Sequence, residues 1–298
     1  MSRRAVVAAV VGMIALGQAQ AVDYPATVTV GDPNNVPDSS GYGSVSYKFE
    51  MGKYEVTQAE FAEFLNATAK SGRGWLPQMS RYGLSRSGSA GTYEYSLKAD
   101  WAKRPAVLMN WHETLRFANW LTNGKGEGST ETGAYKFVDE WGEKTVKMPD
   151  HAALAAGGKV HWVLANEDEW VKAGYYDPEK DDGAGGYWPY PSPSDTPPKA
   201  NLASGANTDV GKFTPSAYGT HDQGGNVWEW NETRQGANCG VRGGSYHFGD
   251  TVAYMGKGTR YCTNPTWFVF DNYGFRVAAL GSGKKESKKD AKAEKTEE

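Results

Sequence analysis

Asp222 and Glu229 bracket the run Asp222-Gln223-Gly224-Gly225-Asn226-Val227-Trp228-Glu229. Their carboxylates are hard oxygen donors. The paired glycines let the backbone curl so that the carbonyls of Gly225 and Val227 can turn inward. Calcium accepts about six to eight oxygens from mixed donors of this kind. The same residues also suit a glycine-rich turn whose acids cap or face water, and spacing alone leaves both readings open. Ser245 follows Gly243-Gly244, but no GxSxG elbow and no strand-to-helix pattern surround it, so a serine hydrolase is not indicated. The five histidines, His112, His151, His161, His221 and His247, include no HxxxH or HxH pair. A dedicated zinc or iron site therefore lacks local support, although His247 lies beside Ser245. Neither a Walker-type phosphate loop nor a dinucleotide fingerprint is present.

The two cysteines, Cys239 and Cys262, take their meaning from the compartment. Arg3 and Arg4 precede the apolar run Ala5 to Leu16, which is too short to span a bilayer, and Ala19-Gln20-Ala21 supplies a small-x-small cleavage pattern. Residues 1–21 are expected to be a signal peptide, with Val22 opening the mature chain. The protein is then exported to a periplasmic, cell-surface or secreted location, and the mature chain carries no membrane span. An oxidising compartment permits a disulfide between Cys239 and Cys262, which is the expectation; two free thiols are the alternative.

The elements that must position these residues are short. Eleven Trp, 17 Tyr and 37 Gly among 298 residues suggest a loop-rich fold in which aromatic side chains span the gaps. Three helix starts share one grammar: Thr57 before Glu60, Asn110 before Glu113, and Asn166 before Glu169, each a cap residue with Glu at the third position. Amphipathic residues follow each, Asn123-Gly124 stopping the second. Ala26 to Val30 reads as a strand, as do the runs 242–246 and 274–278, while six prolines break residues 176–199. No fixed period argues for a repeat fold. One domain over 22–280 is expected. Residues 281–298 are Lys-, Glu- and Ser-rich with no aromatic, and are expected to be a disordered, solvated tail. A net charge of −3 gives no footprint for nucleic acid. Trp75, Tyr93, Tyr95, Tyr187, Trp188 and Tyr190 lie in Gly/Pro-rich loops, where they either cover a loop-heavy core or offer a sugar- or peptide-binding surface.

Six strings occur in the order found in formylglycine-generating-enzyme (sulfatase-modifying-factor) domains, and the chain resembles that family over about residues 45–280. They are Met51-Gly52-Lys53-Tyr54-Glu55-Val56-Thr57, Arg104-Pro105-Ala106-Val107 leading to Asn110-Trp111, Leu164-Ala165-Asn166-Glu167-Asp168-Glu169-Trp170, Gly225-Asn226-Val227-Trp228-Glu229-Trp230, Arg242-Gly243-Gly244-Ser245 and Gly274-Phe275-Arg276. The resemblance implies a loop-rich α+β fold of the C-type-lectin-like kind, with a few short helices and small mixed sheets.

It also implies sites. Asp222, Gly225, Val227 and Glu229 match a family calcium loop, so calcium is the expected cofactor. A second calcium site would begin at Asn201-Leu202, but Ser204 to Asp209 is shorter than the loop its later ligands require. Ser245 matches an active-site serine. The family's oxidases place two copper(I)-binding cysteines shortly after that serine, and here Phe248 and Ala253 stand there. Neither can replace a thiolate, so copper is not expected. Rebuilding the pair from Cys239 and Cys262 would need a rearranged loop. The reading is an exported non-oxidase binding or accessory module with a protein or glycan ligand. The alternative is a protein-modifying oxidoreductase, of formylglycine-generating or nonheme-iron type, with a rearranged active site.

Overall fold

Four of the helices begin where a side chain satisfies a backbone donor that would otherwise lack a partner, while the short helix Lys180–Gly183 has no such cap. The computed structural model describes residues 23–140, 143–265 and 269–281, so the expected signal peptide, and the tail beyond Gly281, lie outside the described residues. Helix α1 (Gln58–Thr68) starts at Thr57, whose Oγ1 accepts from Glu60 N at 3.3 Å while the Glu60 carboxylate accepts from Thr57 N at 2.7 Å. Helix α2 (Trp111–Thr122) starts at Asn110, which accepts from Glu113 N at 3.0 Å. A short third helix, α3 (His151–Ala155), is capped by Asp150, and its single turn is too brief to leave a periodic signature. Helix α4 (Glu167–Tyr175) repeats the reciprocal cap through Asn166 and Glu169. Such a cap contributes about 1 kcal/mol. All three anticipated helices are present.

Two four-stranded sheets carry the rest, their strands numbered in chain order: β1 (Thr27–Val30), β2 (Phe49–Gly52), β3 (His161–Leu164), β4 (Trp228–Gln235), β5 (Asn238–Arg242), β6 (Tyr261–Thr263), β7 (Tyr273–Phe275) and β8 (Val277–Leu280). The first sheet runs β1-β2-β8-β3, all antiparallel. The second runs β6-β5-β4-β7, with β4 and β7 parallel. Ribbons Leu84–Ser87 with Glu94–Leu97, Lys136–Glu140 with Glu143–Lys147, and Tyr176–Asp177 with Gly186–Tyr187 complete the strands. The architecture is the loop-rich α+β type expected. Phe61 and Phe64 of α1 meet Phe117 and Trp120 of α2, and Phe275 closes on Phe117 at 5.3 Å. No helix among the described residues is long and apolar enough to cross a membrane.

Two expectations need correction. The run 242–246 is not a strand beyond Arg242, because Gly243 and Gly244 take positive φ (105° and 78°) and turn the chain. A side chain at Gly243 would also stand 2.9 Å from the Gln223 carbonyl. The expected disulfide is not formed: Cys239 and Cys262 are free. They sit on adjacent strands, but Cys239 pairs with Thr263 and Cys262 with Gly240. One residue of register puts their side chains on opposite faces of the sheet.

Candidate functional site

Four of the six strings meet at one buried polar centre. Its scaffold is the end of β2, the loop 201–226, the start of β4 and the turn between β7 and β8. Asp222 and Asn226 adopt left-handed backbone (φ 60° and 59°), a conformation that Asp and Asn tolerate better than most residues. Between them Gly225 lies so near the Asn201 carbonyl that a Cβ would approach it to 2.8 Å. The curled backbone anticipated for this loop is therefore real.

Arg276 stands at the middle of this centre. Its Nε and Nη2 donate to the two oxygens of Glu229 at 2.6 and 2.5 Å, and Nη1 and Nη2 also donate to the carbonyls of Gly52 and His221. Trp170 Nε1 donates to Glu229 as well, at 2.6 Å. Glu55, only 1% exposed, accepts from Asn226 Nδ2 at 2.8 Å through one oxygen and leaves Oε2 without a partner. Asp222, 4% exposed, accepts from Gly211 N through one oxygen and leaves Oδ1 without a partner. Three buried carboxylates thus face a single guanidinium. Burial first, then Asp222 and Glu229, pushes the Glu55 carboxyl well above its ordinary value. Burial likewise raises Asp222. Arg276 is disfavoured by burial but is held charged by Glu229, Glu55 and Asp222.

Asp222 has an oxygen without a partner, whereas both oxygens of Glu229 accept from Arg276 or Trp170. Glu55, which sequence reasoning passed over, has the other open oxygen. Fully ionised, the group carries two excess negative charges, which a divalent hard cation would cancel. Among the described residues no three His, Cys, Asp or Glu side chains converge as a metal-holding group. The carboxylate oxygens open at this centre are those of Asp222 and Glu55. The signal that could have found Glu55 was its place inside the string Met51 to Thr57, in the loop that follows β2.

Asn201 has other work. Its Nδ2 donates to Ala206 O and Asn226 Oδ1, its Oδ1 accepts from Ser204, and its carbonyl accepts from Asn226 N. Leu202 beside it packs toward Gly244.

Ser245 is fully buried and tied in place. Asp250 Oδ2 accepts from Ser245 N and Oγ, both at 2.7 Å, and from Trp228 Nε1 at 3.0 Å. Asn272 Nδ2 and His247 N donate to Ser245 Oγ. Among the described residues no imidazole nitrogen bonds the hydroxyl; His247 Nδ1 lies 3.0 Å from the Phe248 carbonyl instead. The serine thus anchors a loop. The anchored loop presents Phe248, 71% exposed, braced over Gly205. Val252, Tyr261 and Phe270 are exposed, and Trp228 meets Tyr261 edge-on and Tyr254 at a tilt. Ala253 is exposed in the turn Val252–Met255. The other loop aromatics mostly pack: Trp75 and Tyr93 sandwich Arg86 at 4.0 and 3.9 Å, Tyr95 is buried, and Trp188 donates to Asp177.

Comparison with known proteins agrees with the fold. The model of the sulfatase-modifying factor enzyme 1-like domain matches residues 27–280. Formylglycine-generating enzyme from Mus musculus is 22% identical over 283 residues, covering 78% of this chain and 66% of that protein. The chain thus spans slightly less than two thirds of that relative. Among solved structures, Treponema denticola variable protein 1 superposes with a TM-score of 0.53 at 19% identity, over 85% of this chain and 94% of that one. CarF does so with a TM-score of 0.56 at 19% identity, over 87% and 99%.

Proposed function

Because this chain belongs to the family of sulfatase-modifying factor enzyme 1-like domains, we propose that it keeps the family scaffold and uses it for binding rather than oxidation. The observation that supports this reading is Phe248. Where the resemblance would place the first thiolate stands an aromatic ring that projects into solvent from a loop held by Ser245 and Asp250. The second position is Ala253. Copper(I) needs soft ligands, and neither side chain supplies one. Cys239 and Cys262 do not substitute, since both lie in the β5–β6 pair and face opposite ways.

A projecting ring on a rigid loop suits a protein partner that offers a pocket, because rigid aromatic anchors contribute much of the energy of such contacts. A glycan would more often need a concave site with open polar groups. The exported location and a calcium ion held by Asp222 and Glu55 belong to the same proposal.

The test has two arms. Purified protein incubated with copper, oxygen and a Cys-x-Pro-x-Arg peptide should leave the peptide mass unchanged; robust conversion to formylglycine would sink the reading. In parallel, a photo-crosslinking residue at position 248 should join the protein to a defined protein partner. The Phe248→Asp variant should lose that partner. Capture of glycans alone on an array, dependent on Phe248, would replace the protein partner with a sugar.

A further inference from the structure

Two dyads place a side-chain carbonyl one residue before glycine, Asn123-Gly124 and Asp182-Gly183, and all four residues are exposed. Glycine leaves its own nitrogen unshielded, so in either dyad that nitrogen can attack the preceding side chain. By chemistry alone Asn123 should react first, since a neutral amide is a better electrophile than an ionised carboxylate. The folded chain reverses that order. Asn123 Nδ2 donates to the carbonyls of Ser129 and Thr132 at 3.0 and 2.7 Å, and Gly124 N donates to Leu121 O at 3.0 Å. Both reacting groups are thus held at the end of α2. Asp182 makes no side-chain hydrogen bond or ion pair among the described residues, and Gly183 N reaches Glu179 O only at 3.3 Å. A side chain at Gly183 would meet nothing within 4 Å, so the space around the dyad is open. Asp181 and Asp182 also take left-handed backbone in succession (φ 57° and 58°). L-residues rarely hold that conformation in a row, because each Cβ crowds the following carbonyl oxygen. Ring closure requires the dyad to leave its folded conformation, and this crowding lowers the cost of leaving.

We propose that Asp182 is the residue at which this protein isomerises, through a succinimide. Gly183 N loses its proton and bonds to Asp182 Cγ, and a carboxyl oxygen leaves as water. Water then adds back to the ring. Opening at the former main-chain carbonyl leaves the chain running through Cβ and Cγ, which is isoaspartate; opening at the other carbonyl restores aspartate. No mass is gained or lost, and no oxidant or cofactor is consumed. The new linkage lengthens the turn between Tyr176–Asp177 and Gly186–Tyr187, whose Tyr187 hydroxyl accepts from Asn35 at 2.7 Å. The site is separate from the Phe248 surface, so the failure of either proposal leaves the other standing.

The full chain is aged at neutral pH with mild warming, digested, and read by electron-transfer fragmentation, which separates isoaspartate from aspartate. A peptide of unchanged mass with isoaspartate at position 182 is expected, while Asn123 keeps its amide. Asp182→Glu, which would have to close a larger ring, should yield none. Asp182→Asn makes the two dyads chemically alike within one molecule. Position 182 should then deamidate about tenfold faster than Asn123, the margin expected from the two side-chain hydrogen bonds that only Asn123 makes. In denaturant the two rates should converge. Aged protein without isoaspartate at position 182 overturns the proposal, as does a folded Asp182→Asn chain whose two dyads react at equal rates.

Discussion

Arg276 and Glu229 face each other in the core with neither side chain reaching solvent, joined by two parallel hydrogen bonds of 2.5 and 2.6 Å. The pair links the turn between β7 and β8 to the start of β4, and through Gly52 it reaches the end of β2. A buried fork of this kind is a strong constraint on geometry but a modest net source of stability, because both ions lose their water. Breaking it is another matter. Arg276→Met should destabilise the fold by about 3–5 kcal/mol, since Glu229 would be left buried beside Glu55 and Asp222 without its countercharge. Urea denaturation of the variant checks this, and a loss below 1 kcal/mol would show that the centre rearranges freely.

Calcium should act on the same centre. A cation that binds only the native loop stabilises it by mass action, roughly 2.7 kcal/mol at about 100 times its Kd. Chelator should therefore lower the Tm of the parent, and Asp222→Ala should remove most of that response. Glu55→Gln separates the two effects. Without calcium it relieves repulsion and should melt no lower than the parent, yet it should respond less when calcium is added. If neither calcium nor chelator moves any of the three proteins, the loop is an ordinary glycine turn.

Acidity should report the same carboxylates. A folded-state value raised above the unfolded one means that the native protein binds the proton more tightly, so stability falls as pH rises through the folded value. In calcium-free protein, Glu55 and Asp222 should thus make stability increase on acidification from neutrality towards the ordinary carboxylate range. Melting curves in Glu55→Gln should show a flatter dependence over that interval.

His151 should govern the alkaline side. Its Nδ1 and Nε2 lie 2.8 Å from Glu169 and Glu232, and Tyr47 and Tyr135 donate to the same two carboxylates. Burial opposes the imidazolium, but Glu169 and Glu232 raise it to about 10. The stabilisation is complete below the unfolded value of about 6.5 and is lost as pH rises through about 10. The total is on the order of 3–5 kcal/mol. His151→Gln should flatten the stability curve between those limits. An unchanged alkaline slope would mean that the histidine is neutral in the native state.

The thiols should behave separately. Cys239 is buried, and burial pushes its thiol up to about 12. Cys262 is partly exposed on the edge strand β6. Alkylation of native, unreduced protein should label Cys262 alone, and denaturant should expose Cys239 to a second label. A mass unchanged by alkylation under both conditions would mean that the two are bonded after all.

The helices were legible because capping is local. Thr57, Asn110 and Asn166 each satisfy a backbone donor three residues on, so four consecutive residues contain the whole interaction. The short helix at His151 was missed for the same physical reason in reverse: one turn offers no period to read. The aromatic and glycine content correctly announced a loop-rich core, since large rings must fill what short elements leave open.

The chemistry was legible only in part. Sequence by itself determined the family signatures, the caps, the absence of thiols at positions 248 and 253, and the carboxylate of Asp222. Tertiary structure alone decided which oxygen of which acid is open, that Arg276 takes Glu229, and that Glu55 joins the centre from the loop after β2, far away in the chain. It also decided that Cys239 and Cys262 face apart. Those outcomes depend on register and on competition among buried partners. A one-residue shift between strands reverses a side chain, and a single guanidinium can satisfy only the carboxylate that packing brings to it.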